Sequence, residues 1–180
     1  MSLALETNRL ILRRFRGSDL EAMIALHQDP AVMKYLGPLM TPEQTNDFLY
    51  NVVTVFDEQG WGLFCVELKE TSACLGFVGL NRPTFEASFT PCVEIGWRLA
   101  SSHWGHGLAT EAATEVLLYA HEMLGMDEIV AMTTKENLAS QRVMEKIGLV
   151  RDPQGDFMHP NLQPDDPLAP HLLFRTQPRN

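Results

Sequence analysis

Between Trp61 and Ala100 the chain runs through three apolar, strand-like segments in succession, "WGLFCVELK", "ACLGFVGLNR" and "CVEIGWRLA", and this order is the tightest constraint on its fold. Turn-rich pieces separate the segments, which predicts antiparallel pairing between neighbours. The pattern then changes. A run of good helix formers from about Gly107 to Met123, stopped at Gly125, leads into a buried strand in "DEIVAMTT". A strand–helix–strand passage from Cys92 to Thr133 sets its two strands parallel. The predicted architecture is a mixed, mostly antiparallel sheet flanked by helices, an α/β (α+β) fold spanning 1–180 as a single domain.

The flanks fit that plan. "NRLILRRF" alternates apolar and charged residues at Leu10 and Leu12 and predicts a first strand. Ser18 followed by Glu21 reads as a capping box for a helix through His27, and Asp29-Pro30 opens another helical turn. Thr41-Pro42 with Gln44 starts a longer helix to about Glu58, closed by Gly60. "NLASQRVMEKIG" predicts a helix with Asn137 as N-cap and Gly148 just past its end. Five prolines lie between Arg151 and His171, and "HLLFRT" predicts a last strand.

Composition narrows the function classes. The net charge of −9 and pI near 5.1, without basic runs, argue against nucleic acid or an anionic membrane surface as partner. No apolar run approaches a membrane span, and the N-terminus lacks the plan of a signal peptide. Cys65, Cys74 and Cys92 match no zinc or disulfide spacing and read as buried, reduced thiols of a cytoplasmic protein. An acidic chain must hold any anionic ligand by local geometry.

Such a geometry is suggested by "SSHWGHGLATEA", where Gly105 and Gly107 immediately precede a helix. Helix N-termini present unpaired N–H groups and partial positive charge to anions. A dinucleotide fingerprint needs a third glycine where this chain has Thr110, and no Walker-type G-x-x-x-x-G-K-[ST] run exists. A plain strand-to-helix turn remains the alternative.

Taken together, "VEIGWRLASSHWGHGLATEA" and, about 30 residues on, "NLASQRVMEKIGL" resemble the acyl-CoA-binding core of the GNAT superfamily of N-acetyltransferases. More narrowly the chain is similar to the Rim-type branch, named for enzymes that acetylate ribosomal-protein N-termini. The likeness extends from "LETNRLILRRF" to "DDPLAPHLLFR". The superfamily's Q/R-x-x-G-x-G/A loop begins here at Trp104 and ends at Ala109. By this resemblance the sheet splays between its fourth and fifth strands. The CoA pyrophosphate then lies on the N–H groups of Trp104, Gly105, His106, Gly107, Leu108, Ala109 and Thr110. The backbone of Trp97, Arg98 and Leu99 pairs with the pantetheine arm, and Asn137 contacts the same arm or caps its helix. The implied cosubstrate is acetyl-CoA, the partner an amine-bearing acceptor, and no metal is implied. A non-catalytic acyl-CoA-binding module is the alternative. Monomer and homodimer both remain open.

Acetyl transfer to an amine needs a proton acceptor, a polarised carbonyl and a proton for the departing thiolate. Glu94 beside the expected splay is the candidate base, with Glu67, His159 and His171 as alternatives. Backbone donors near Gly96 are available to the carbonyl, relief of packing being the other reading of Gly96. Many superfamily members place a tyrosine seven residues after the asparagine; this chain has Met144 there. The resemblance points to Ser140 as thiolate donor, the other reading being a serine bonded to its own helix. Glu111, Glu115 and Glu122 read as solvated or helix-stabilising, and His103 and His106 flank the glycines.

Overall fold

The computed structural model describes residues 4–177. Its strands are β1 (Ala4–Glu6), β2 (Leu10–Arg13), β3 (Leu63–Leu68), β4 (Ala73–Asn81), β5 (Glu94–Leu99), β6 (Val130–Thr134), β7 (Val150–Met158) and β8 (Pro170–Arg175). They form a sheet of eight strands in the order β1-β2-β3-β4-β5-β6-β8-β7. Every neighbouring pair is antiparallel except β5 and β6. The helices are α1 (Leu20–His27), α2 (Pro30–Met33), α3 (Pro42–Gln59), α4 (Leu108–Glu122) and α5 (Leu138–Lys146). No helix among the described residues is long and apolar enough to cross a membrane.

The α3 start is built as its sequence requires. The Thr41 hydroxyl accepts from Gln44 N–H, the Gln44 side chain accepts from Thr41 N–H, and Gly60 ends the helix at φ 81°. Asp29 caps α2 by accepting from Ala31 N–H at 2.8 Å. The expected Ser18–Glu21 box does not form. A short 3-10 turn, Gly17–Asp19, precedes α1, and it is Asp19 that accepts from Arg16 N–H at 2.7 Å.

Two strands escaped the sequence reading. β1 is three residues long, so the splay expected after the fourth strand follows the fifth. β7 contains Pro153 and Gly155 and lies at the sheet edge, with a register shift between Asp152 and Phe157. Proline has no N–H for a ladder and is confined to edges and bulges, so period-two alternation is lost there.

One large cluster fills the space between the sheet and α4, joining Leu12, Val66, Val78, Ile95 and Leu99 to Ala112, Val116 and Ala120. On the opposite face, Met23 and Leu26 of α1 and Leu49 of α3 pack on Phe77. Beneath α1 sits a buried ionic group. Arg13 donates to both Asp19 oxygens at 2.8 Å and to Glu67 at 2.5 Å. The burial of Asp19 would raise its pKa, but its bonds from Arg13 and Arg16 hold it below the usual carboxylate range.

Arg13→Met strands two carboxylates in the interior and is expected to cost about 3–5 kcal/mol in denaturant titrations. The Asp19 pKa is lowered, so its contribution is full above the ordinary carboxylate range and fades as pH falls through the folded value. The difference between variant and wild type should therefore narrow in acid. A loss below about 1 kcal/mol contradicts this role for the group.

Candidate active site

The parallel pair is the weak seam of the sheet. β4 and β5 are in register over six residue pairs, whereas β5 meets β6 only at Glu94 and Val130. Val130 N–H donates to the Val93 carbonyl at 2.9 Å, and beyond that point the strands part. Main-chain groups of alternate residues point to the same edge. The N–H and C=O groups of Ile95 and Trp97 therefore face the opening, while those of Gly96 and Arg98 serve β4. The Leu99 carbonyl is occupied by Trp104 Nε1 at 2.8 Å.

The opening leads to a cleft of about 670 Å³. Trp97, Arg98, Leu99, Trp104, Gly105, Gly107, Leu108, Ala109, Thr110, Asn137 and Ser140 all line it, together with Val32, Tyr35 and Leu36 from α2 and the residues after it. His106 does not; its carbonyl is held by Arg9 Nη1 at 2.9 Å. Lys34, Arg142 and Lys146 give the cleft positive walls despite the acidic chain. A second cleft, of about 710 Å³, lies at the far end of the sheet, where Arg175 pairs with Asp152 and Glu128.

At the head of α4, Gly105 and Gly107 have φ of 81° and 75°. Side chains tolerate this left-handed region poorly. Crowding by other residues is not the reason for glycine here: a Cβ at Gly105 would meet nothing within 4 Å, and one at Gly107 only Arg9 Nη2 at 3.8 Å. The turn they make leaves the amides of residues 105–110 without a protein acceptor among the described residues. Convergent unpaired N–H groups at a helix N-terminus form an anion site.

Glu111 fixes this array. Its carboxylate accepts from Thr7 Oγ1 at 2.6 Å, Arg9 N–H at 2.8 Å and Arg9 Nε at 2.7 Å. Burial would raise its pKa, yet these bonds together hold it low. The glutamate read from sequence as solvated or helix-stabilising is instead a clamp between the β1–β2 turn and α4.

On the other wall, Asn137 Oδ1 accepts from Ser140 N–H at 3.2 Å, which assigns the oxygen to the cap and leaves the amide NH₂. No hydrogen bond engages the Ser140 hydroxyl among the described residues, so the self-bonded serine is not formed. Met144, at the position of the family tyrosine, is 2% exposed and belongs to the core.

Glu94 stands at the last bonded point of the seam and is not itself part of the cleft wall. Surrounding protein pushes its pKa up to about 7, while the residue keeps partial solvent contact. No ion pair engages it among the described residues. Glu67, by contrast, is bound to Arg13 and is unavailable as a base. His159 and His171 lie 5.0 Å apart among Phe85 and Phe157, and burial lowers both pKa values. Asp19, Cys65 and Cys74 come within 4.8 Å of one another, but Asp19 is already bidentate to Arg13.

Residues 9–150 match the acetyltransferase (GNAT) domain family. The chain belongs to the GNAT family. The uncharacterized N-acetyltransferase YoaA of Bacillus subtilis (strain 168) is 30% identical over 153 residues, covering 82% of this chain and 83% of its own. A GNAT-family acetyltransferase from Bacillus anthracis superposes with a TM-score of 0.79 at 28% identity, over 96% of this chain and 97% of that one. RimL, a ribosomal alpha-N-protein acetyltransferase solved in complex with coenzyme A, shares the fold with a TM-score of 0.76 at 14% identity, over 96% and 97%. The protein is an N-acetyltransferase, with the open mixed sheet of the GNAT fold.

Glu111→Ala removes the anchor of a GNAT loop and is expected to lower stability by about 1–3 kcal/mol in thermal or denaturant unfolding. The Glu111 pKa is depressed, so its contribution is full above the ordinary carboxylate range and lost as pH falls through the folded value. Unchanged stability at neutral pH contradicts the clamp.

Proposed function

We propose that the protein moves the acetyl group of acetyl-CoA directly to a primary amine, on a protein N-terminus or a small molecule. The observation that carries this reading is the convergence of two unpaired main-chain arrays on one cleft. The amides of 105–110 donate to the pyrophosphate, whereas the expected Trp104 N–H is already given to the Ser101 carbonyl at 3.2 Å, and the free edge at Ile95 and Trp97 takes the pantetheine arm as an added strand. Lys34, Arg142 and Lys146 neutralise further phosphate charge. Residues 1–180 act as one catalytic domain, a monomer or homodimer without a metal, in the cytoplasm where acetyl-CoA is made available. The Rim-type form of the Trp104–Ala109 loop supports that branch of the family.

With the thioester aligned, the amine nitrogen attacks the carbonyl carbon and gives its proton to Glu94, directly or through water. The C–S bond then breaks, and the thiolate takes a proton from solvent, either directly or relayed through the Ser140 hydroxyl, which solvent reprotonates in the same step. A carboxylate near pKa 7 is suited to this base role, because a large share of it is ionised at neutral pH and it holds the transferred proton firmly. Asn137 keeps the pantetheine arm against α5.

Acetyl-CoA is expected to raise the unfolding temperature, and Gly107→Val to abolish that rise while the fold persists. An undiminished rise in the variant contradicts the phosphate cradle. Glu94→Gln is expected to lower kcat by ~10²–10⁴-fold with acetyl-CoA affinity retained. Glu94 must be ionised to accept the proton, so the wild-type rate should fall as pH drops below about 7, and the variant should lack that limb. Near-normal turnover moves the role to water or a tail histidine. For Ser140→Ala, the loss should shrink with an acyl donor whose thiol has a much lower pKa; equal losses contradict the donor role.

A further inference from the structure

Strand alternation places Glu94, Gly96 and Arg98 on one face of β5 and sends Ile95 and Leu99 into the α4 core. Above Gly96 the face is bare: a Cβ built there meets nothing within 4 Å. An acid and a base therefore flank an open floor, four residues or roughly 13 Å apart along the strand. Each carries its charge at the end of a flexible side chain, so the backbone spacing does not fix the distance between the charges.

Arg98 has no protein counterion. Its guanidinium lies over the Phe77 ring at 5.4 Å, its Nε is buried without a hydrogen-bond partner, and no ion pair reaches it among the described residues. Two carboxylates on the helical side are spent elsewhere. Asp29 accepts from Ser101 Oγ and Ala31 N–H, and Asp19 from Arg13 and Arg16. The neighbouring His27 has its own Nε2 buried and unbonded, and burial followed by the Arg98 charge lowers it to about 4. That histidine is neutral and offers no anion. Burial pulls Arg98 itself down to about 10, which still leaves a cation at neutral pH. Burying an unpaired cation is costly, and a planar carboxylate is its bidentate partner.

We propose that Arg98 binds a carboxylate of the acceptor across the bare floor of Gly96 from Glu94, so that the acceptor is an amino acid or a close relative bearing amine and carboxylate together. This deepens the amine-acetylation reading and rests on it. The amine then faces Glu94, the carboxylate faces Arg98, and the short carbon skeleton crosses Gly96. The positive walls at Lys34, Arg142 and Lys146 belong to other elements of the cleft and serve the cosubstrate.

The test uses the full chain with acetyl-CoA and matched acceptors: free amino acids, their α-amides, and the corresponding decarboxylated amines. Wild type is expected to favour the acids by about 10²-fold or more in kcat/KM, because a site built around a charged group discriminates strongly against analogues lacking it. Arg98→Gln should erase that preference by losing activity on the acids alone, with the acetyl-CoA thermal shift retained. Arg98→Lys, which keeps the charge without the planar fork, should recover part of it. Equal use of acid and amide by wild type overturns the proposal, as does an Arg98→Gln loss shared by all acceptors or a loss of acetyl-CoA binding. Should wild type acetylate none of these small acceptors, this proposal falls, whereas the amine-transfer reading falls only if peptide N-termini are not acetylated either.

Discussion

A β-strand with one paired edge carries a row of main-chain donors and acceptors that must find partners on the other side. In this protein β5 is that strand. β4 satisfies one edge, and β6 meets the other only at Glu94 and Val130 before turning away. The exposed edge at Ile95 and Trp97 would be an aggregation hazard on an open surface. Here the hazard is contained, because the edge opens into a cleft lined by residues of α4 and α5, and in the proposed function the pantetheine arm pairs with it as an added strand.

The same seam organises the charges. Glu94 sits where the strands part, deep enough for burial to raise its carboxyl yet not sealed from water. The array of unpaired amides lies at the start of α4, held there by the Thr7–Arg9–Glu111 clamp. An acidic chain thus keeps a local positive site out of peptide N–H groups and a few cations, without help from the overall field. The clamp also explains why β1 and β2 matter to the site: their turn reaches across and fixes the helix that presents the amides.

Much of this was legible in the residues. The strand succession from Trp61 to Ala100, the Thr41 capping box and the Asn137 cap follow local rules of pattern and hydrogen bonding, and each is present. The two glycines marked the α4 turn, although what they supply is left-handed backbone and not room beside the protein. Features set by distant contacts were not legible. Glu111 becomes a clamp through residues about 100 positions away in sequence. Asp19 displaces the Ser18–Glu21 box because Arg13 needs a buried partner. Glu67 loses its candidacy as a base to the same arginine. β7 was hidden because Pro153 and Gly155 break its alternation. Arg98 was legible as a backbone contact only; the isolation of its side chain emerges from packing.

The central claim is that the amides of 105–110 and the free edge of β5 together hold one acetyl-CoA. Backbone ¹H–¹⁵N spectra recorded through a titration with acetyl-CoA test it residue by residue. The account predicts saturable shifts at one equivalent in the amides of Gly105 to Thr110 and of Ile95 and Trp97, with the Gly76–Gly79 stretch of β4 little changed. Saturable shifts confined to other surfaces, with these amides unmoved, would contradict it.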